Sequence, residues 1–223
     1  MGLTLENRHL KQVLDDLQRL GEQNDAGYST RIAAREAELG ARLYGVERAQ
    51  IGAHAPQAIK PAAAAILYAL VIAAEPQLIV EFGASLGFST IYLASAINDL
   101  GTGRVITTEL VPEKAKAAEE NLVAARLEHL VEVRQGDAQT TLRDIGDSVD
   151  LLFLDGSNDL YLSILELLEP TLDKNALVIA DLSLGDPHHA RYRDHVNDPQ
   201  HDYLTIEIPI DAGVLVSKRQ IRK

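Results

Sequence analysis

Five carboxylic acids recur in one setting along the chain. Glu81, Glu109, Asp137, Asp155 and Asp181 each stand at or just past the end of a short β-type run, over 78–82, 104–109, 131–135, 149–154 and 176–180. In a parallel sheet such ends share one rim, the rim where ligands bind. Carboxylates gathered there repel one another, so a cationic ligand or a metal is the sensible occupant. The first acid opens the stretch Glu81-Phe82-Gly83-Ala84-Ser85-Leu86-Gly87-Phe88-Ser89-Thr90. Its glycines let backbone approach a ligand, and the helix start behind them offers free N–H groups to an anionic or polar group. The dinucleotide pattern G-x-G-x-x-G fails, because Ser85 and Phe88 take the second and third glycine positions; no G-x-x-x-x-G-K-[ST] phosphate loop occurs either. Glu109 is placed to accept both hydroxyls of a ribose. Gly136-Asp137-Ala138 can meet an adenine edge through the Asp side chain or the backbone N–H. Asp155 and Asp181 read equally as structural caps or as substrate contacts. His188, His189 and His195 follow in a polar stretch; a neutral imidazole there can take a phenolic proton or simply face solvent.

The elements that must position these residues alternate. Apolar strand runs separated by helical patterns mean a parallel sheet covered on both faces. Helices are expected over 61–74, 89–98, 112–126, from 138, and over 159–170, with Pro61 and Pro112 at helix starts. The final runs, 203–209 and 214–218, are separated only by Ile210-Asp211-Ala212-Gly213, which permits an antiparallel hairpin and forbids a helical crossover. Ahead of the first strand, Leu10, Val13, Leu14, Leu17 and Leu20 form an amphipathic helical stripe. The run 21–27 (GEQNDAG) is expected to break it, with Ser29 or Thr30 capping a second helix that carries Ile32, Leu39 and Leu43. The chain thus divides into a helical cap or dimerisation segment, 1–55, and an α/β domain, 56–223.

Composition narrows the partners. With 223 residues, 46% hydrophobic and 24% charged, the chain suits a soluble globule. A net charge of −12 repels phosphate backbones and anionic lipid, and 4% aromatics supply no stacking platform, so neither nucleic acid nor membrane is expected as a partner. The basic residues Lys218, Arg219, Arg222 and Lys223 read as a solvated tail. The absence of cysteine excludes disulfides, thiolate metal sites and Cys nucleophiles. The N-terminus lacks a signal-peptide pattern, Glu6 stands where myristoylation wants Ser or Thr, and the longest apolar run, 62–74, falls short of the about 20 residues a bilayer needs. A cytoplasmic location is the expectation.

Taken in order, EFGASLGFST, ITTEL, GDAQ, LFLDGSNDLY and IPIDAGVLVSK resemble the motifs of class I S-adenosylmethionine-dependent methyltransferases of the catechol/caffeoyl-CoA O-methyltransferase type. The resemblance covers about residues 55–220. It implies a Rossmann-like, doubly wound, mostly parallel seven-stranded sheet of order 3-2-1-4-5-7-6 ending in an antiparallel hairpin. It implies S-adenosylmethionine held by Glu81, Gly83, Ser85, Gly87, Ser89, Thr90, Glu109, Asp137, Ala138 and Asp155. It further implies a small phenolic or hydroxylated methyl acceptor served by Asp155, Asp181 and His188, and a homodimer joined through the N-terminal helices. Two positions depart from the pattern. Metal-dependent relatives hold a Mg-like divalent ion with two Asp and an Asn, but Leu182 follows Asp181 where Asn is expected, and leucine offers no oxygen to a hard cation. A Lys expected shortly after Asp155 is absent from Gly156-Ser157-Asn158-Asp159. Two other functions compete: methylation of RNA or protein, and non-catalytic nucleoside binding on the same fold.

Overall fold

Asn7 starts the first helix: its side chain accepts from the backbone N–H of His9 and Leu10, satisfying donors that a helix start leaves unpaired. The computed structural model describes residues 2–183, 186–210 and 212–220. Helix α1 (Arg8–Leu39) runs unbroken to Gly40, which closes it at φ 65. The expected break at 21–27 does not occur. Gly21 and Gly27 each weaken the helix by about 1 kcal/mol relative to Ala, but both ends are anchored. Leu10, Val13, Leu14 and Leu17 are buried in the main core, while Tyr28 and Ile32 are buried in a small cluster with Leu43 and Ala55. Ser29 and Thr30 are not caps; their hydroxyls donate to the Asp25 and Ala26 carbonyls one turn back, at 2.9 and 3.0 Å. Leu43 lies beyond the helix, in the link to the short α2 (Gly45–Ile51).

The remaining elements are α3 (Pro61–Ala74), β1 (Leu78–Phe82), α4 (Phe88–Leu100), β2 (Arg104–Glu109), α5 (Pro112–Ala125), β3 (Val131–Gln135), α6 (Ala138–Thr141), β4 (Val149–Leu154), α7 (Tyr161–Leu168), β5 (Leu172–Asp181), α8 (His188–Asn197), β6 (Tyr203–Ile208) and β7 (Val214–Arg219). The seven strands form one sheet in the order β3-β2-β1-β4-β5-β7-β6. Pairings among β1 to β5 are parallel; β7 pairs antiparallel with β5 and β6. Neighbouring residues of each inner strand feed opposite layers. Ile79 and Leu151 pack with Leu67, Ile91 and Leu122 of α3, α4 and α5. Val80 and Leu152 pack with Ile164, Leu165 and Tyr192 of α7 and α8. This period of two is what a doubly covered sheet requires.

Helix α8 replaces the polar loop expected after Asp181. His189, Tyr192 and Val196 fall three and four residues apart and are buried, but the four polar residues between them, Arg191, Arg193, Asp194 and His195, hide the stripe. The basic end is likewise not a free tail. Lys218 donates to the Asn175 carbonyl, and Arg219 donates to the carbonyls of Glu169 and Leu172 at 2.9 and 2.8 Å. Arg222 and Lys223, and Asp211 of the hairpin link, lie outside the described residues. Among the described residues no helix is long and apolar enough to cross a membrane.

Candidate active site

At the carboxyl ends of β1, β2, β4 and β5 and beside the turn after β3 lies a cavity of about 320 Å³. That is room for a small ligand. The strand ends make its floor. Tyr44, Gly45, Arg48, Ala49 and Gln57 make its roof.

The turn after β1 is shaped by close approach. Gly83 has φ 102, and a Cβ there would sit 2.7 Å from the Asp155 carbonyl oxygen, so only glycine fits between the β1 and β4 turns. The N–H groups of Gly83 and Ala84 donate to the Thr108 carbonyl at 3.2 and 2.9 Å. Ser85 has φ 48. Its N–H donates to Glu109 Oε2 at 2.8 Å, and its hydroxyl donates to the Pro56 carbonyl. Glu109 Oε1 accepts from the Val111 N–H at 2.9 Å. Burial raises the Glu109 pKa; the bonds from Val111 and Ser85 and the charge of Lys114 oppose that rise. Lys114 is itself buried, donates to Gln57 Oε1 at 3.0 Å, and has its pKa lowered by loss of solvent. Asp137 caps α6 by accepting from the Gln139 N–H at 2.9 Å, and both Asp137 and Ala138 line the cavity.

Asp155 and Asp181 line the cavity together. Desolvation, then the charges of Asp181 and Glu81, push the Asp155 pKa well above the usual carboxylate range. Two acids that share a site this dry cannot both ionise at little cost. Tyr161 supports the floor, donating its hydroxyl to the Asp181 carbonyl at 2.7 Å. Asp186 ties roof to floor. Its carboxylate accepts from Tyr44 OH at 3.2 Å, Asn158 Nδ2 at 3.1 Å, the His188 N–H at 2.9 Å and Arg42 at 3.3 Å. Burial would raise its pKa, but the bonds from Asn158, His188 and Tyr44 hold it below the usual value.

Several expected site residues are placed elsewhere. Glu81, Ser89 and Thr90 do not line the cavity. Glu81 is fully buried and accepts from Ser89 Oγ at 2.6 Å, Thr90 Oγ1 at 2.5 Å and Thr107 Oγ1 at 2.6 Å. These four side chains join β1, α4 and β2 from inside, because side chains alternate along β1 and Glu81 points toward the helix layer. Gly87 is also off the cavity. It caps the start of α4 at φ 87, and a Cβ there would stand 3.4 Å from Ala118 of α5. His188 does not line the cavity either; its ring stands edge-on to Tyr44 at 4.6 Å. His189 is buried against the Tyr161 ring at 5.6 Å, and its Nε2 has no hydrogen-bond partner among the described residues. His195 lies away from the site, against Glu169. Leu184 and Gly185 of this stretch lie outside the described residues. The roof residues Tyr44, Arg48 and Gln57, and Lys114 beneath them, escape sequence reasoning. The one local cue was Lys114, a cation five residues past a strand-end acid.

The residues present do not fit a divalent ion in this cavity. The Leu182 side chain is 3% exposed and packed in the core with Leu215, while its N–H donates to the Gly213 carbonyl at 3.0 Å. Two carboxylates, one of them disposed to hold a proton, beside an aliphatic side chain are a poor set for a hard cation.

Comparison with known proteins agrees with this geometry. Residues 80–181 match a family model described as a methyltransferase domain. The chain is 33% identical over 104 residues to a catechol O-methyltransferase of Mycobacterium tuberculosis, covering 46% of each chain. It is 32% identical over 113 residues to the catechol O-methyltransferase of Sus scrofa, covering 48% of this chain and 60% of that one. The matched region thus spans about half the length of these curated relatives. Among solved structures, the O-methyltransferase TomG from Streptomyces achromogenes, involved in tomaymycin synthesis and in complex with SAM, superposes with a TM-score of 0.66 at 21% identity, covering 86% of this chain and 98% of that one. The chain is thus similar to methyltransferase domains over residues 80–181 and to catechol O-methyltransferases over about half of its length, on a sheet order shared with O-methyltransferase structures.

Proposed function

We propose that the chain binds S-adenosylmethionine in the cavity and transfers its methyl group to an oxygen of a small phenolic or hydroxylated acceptor. One observation carries the reading: Glu109, fixed by the Ser85 and Val111 N–H groups, faces the same cavity as the Asp155–Asp181 pair. A strand-end carboxylate suits a ribose. The backbone around Asp137 and Ala138 suits an adenine edge, and the Gly83–Ser85 turn suits the amino-acid end of the cofactor. An acidic wall suits a sulfonium, whose positive charge disappears as the methyl leaves.

The cofactor supplies an electrophilic methyl group. This chain's residues hold the acceptor oxygen in line with it and exclude water, the roof serving the second task. The acceptor O–C bond forms as the S–C bond breaks, and the acceptor proton must go to a base. The Asp155–Asp181 pair is the base in this reading, since a carboxylate with a raised pKa is closer to a phenol in proton affinity. His188, held against Tyr44 outside the cavity lining, is set aside from that role.

A second reading, nucleoside binding without transfer, is favoured by Leu182, which stands where metal-dependent relatives have Asn, and by the absence of a Lys from Gly156-Ser157-Asn158-Asp159. Incubation with methyl-labelled S-adenosylmethionine and a panel of catechols and phenols separates the two. Label in an acceptor supports transfer; cofactor binding with no label in any acceptor supports the second reading. The same proposal extends to the finer expectations. They are a cytoplasmic protein with no nucleic-acid partner, and a cap over 1–55 that also joins a homodimer, for which the exposed Leu20 and Leu39 of α1 are available.

A further inference from the structure

At the opposite rim of the sheet three side chains converge that methyl transfer does not use. Glu169 stands in the turn before β5, His195 on the last turn of α8, and His201 in the short 3-10 turn Pro199–His201 before β6. One ligand atom from each lies within 4.8 Å of the others. His195 Nε2 is 2.7 Å from Glu169 Oε1, and the His195 and His201 rings stack with centroids 3.7 Å apart. We propose that Glu169, His195 and His201 bind a divalent transition-metal ion of the zinc type, with the fourth position open to water.

The chemistry of the donors selects the ion. Two imidazole nitrogens and one carboxylate oxygen form a borderline set that suits zinc and its neighbours and not magnesium or calcium. Zinc bonds of about 2.0–2.2 Å put tetrahedral ligand atoms roughly 3.4 Å apart. The His195–Glu169 contact therefore opens slightly, and the longer separations close by rotation of the side chains. His201 is exposed and gives both that freedom and a route in for the ion. His195, with a side chain only 9% exposed, is held by its helix.

The surroundings are those of a supported ligand. The Tyr203 hydroxyl donates to the same Glu169 oxygen at 3.1 Å, and Arg219 holds the Glu169 carbonyl at 2.9 Å. Such outer contacts orient metal ligands and tune their basicity. An ion here would cross-link the α7–β5 link, the end of α8 and the start of the β6–β7 hairpin.

The competing structure is a plain His195–Glu169 ion pair with His201 stacked upon it. Titration of chelator-treated full-length protein with Zn²⁺ alone, followed by calorimetry and by Tm, distinguishes the two. Expected is one equivalent bound at micromolar or tighter Kd with a raised Tm. His201→Ala, at an exposed position, and Glu169→Gln should each weaken binding tenfold or more, while Asp155→Asn at the opposite rim leaves it unchanged. Absence of binding to the wild type would overturn the site, as would binding that persists undiminished in both His201→Ala and Glu169→Gln.

Discussion

The Ser85 N–H donates to Glu109 Oε2 at 2.8 Å, which locks the turn after β1 to the end of β2. Ser85 sits at φ 48, a conformation unusual for a residue with a side chain, and this bond is one of the contacts that hold it there. One carboxylate therefore shapes the cavity as well as lining it.

Glu109→Ala removes the proposed ribose acceptor and frees the Ser85 turn together. Hydrogen bonds to a charged group are worth about 1.5–3 kcal/mol, so S-adenosylmethionine affinity should fall about 10- to 100-fold by calorimetry. Glu109→Gln keeps one acceptor oxygen and should lose less. Unchanged affinity in Glu109→Ala would put the cofactor elsewhere.

Glu81 belongs to the scaffold, and its substitution should show first in stability. Glu81→Ala strands the hydroxyls of Ser89, Thr90 and Thr107 in a buried space. The expected cost is about 2–4 kcal/mol in denaturant unfolding. A stable Glu81→Ala protein with selectively lost cofactor binding would return Glu81 to the ligand.

Asp155 makes stability depend on pH in a set direction. Its folded pKa is raised by burial and by Asp181, so the native state binds more protons than the unfolded chain above the ordinary Asp pKa of about 3.9. Stability from this group is therefore full in acid and lost as pH rises toward the folded pKa. Asp155→Asn removes that loss. The variant should melt higher than the wild type at pH 7–8, with the gap shrinking as pH approaches 4. A gap that widens in acid would contradict the raised pKa. The same variant should lose methyl transfer.

Asp186 holds the roof through Tyr44 and Arg42. Asp186→Ala should speed protease cleavage within 40–56 and raise the KM for the acceptor more than it lowers kcat. Its folded pKa is lowered, so this tie is present at neutral pH and lost as pH falls through that folded value, below the ordinary 3.9. Cleavage at the wild-type rate would show that the roof is held by other contacts.

The strand runs at 78–82, 104–109, 131–135 and 149–154 were legible to the residue, and so was the rim of acids at their ends. Strand runs rich in Val, Ile and Leu and the glycines and prolines around them are local signals, and the short 210–213 link left only an antiparallel return. The continuity of α1 was not legible. Its glycines and polar residues argue for a break, and only burial of Leu17 on one side and Tyr28 and Ile32 on the other outweighs them.

Within the site the division is sharper. Residue type and order alone established that acids cluster on one rim beside a glycine-shaped turn; the family resemblance added that Leu182 stands where a hard cation's third ligand is expected. Tertiary structure decided which of those acids face the cavity. It turned Glu81 inward to Ser89 and Thr90, set His188 against Tyr44, carried His195 to the far rim beside Glu169, and brought Arg48 and Gln57 over the strand ends. The reason is physical: secondary structure follows from neighbours in the chain, whereas the direction a side chain faces follows from what packs across from it, tens of residues away.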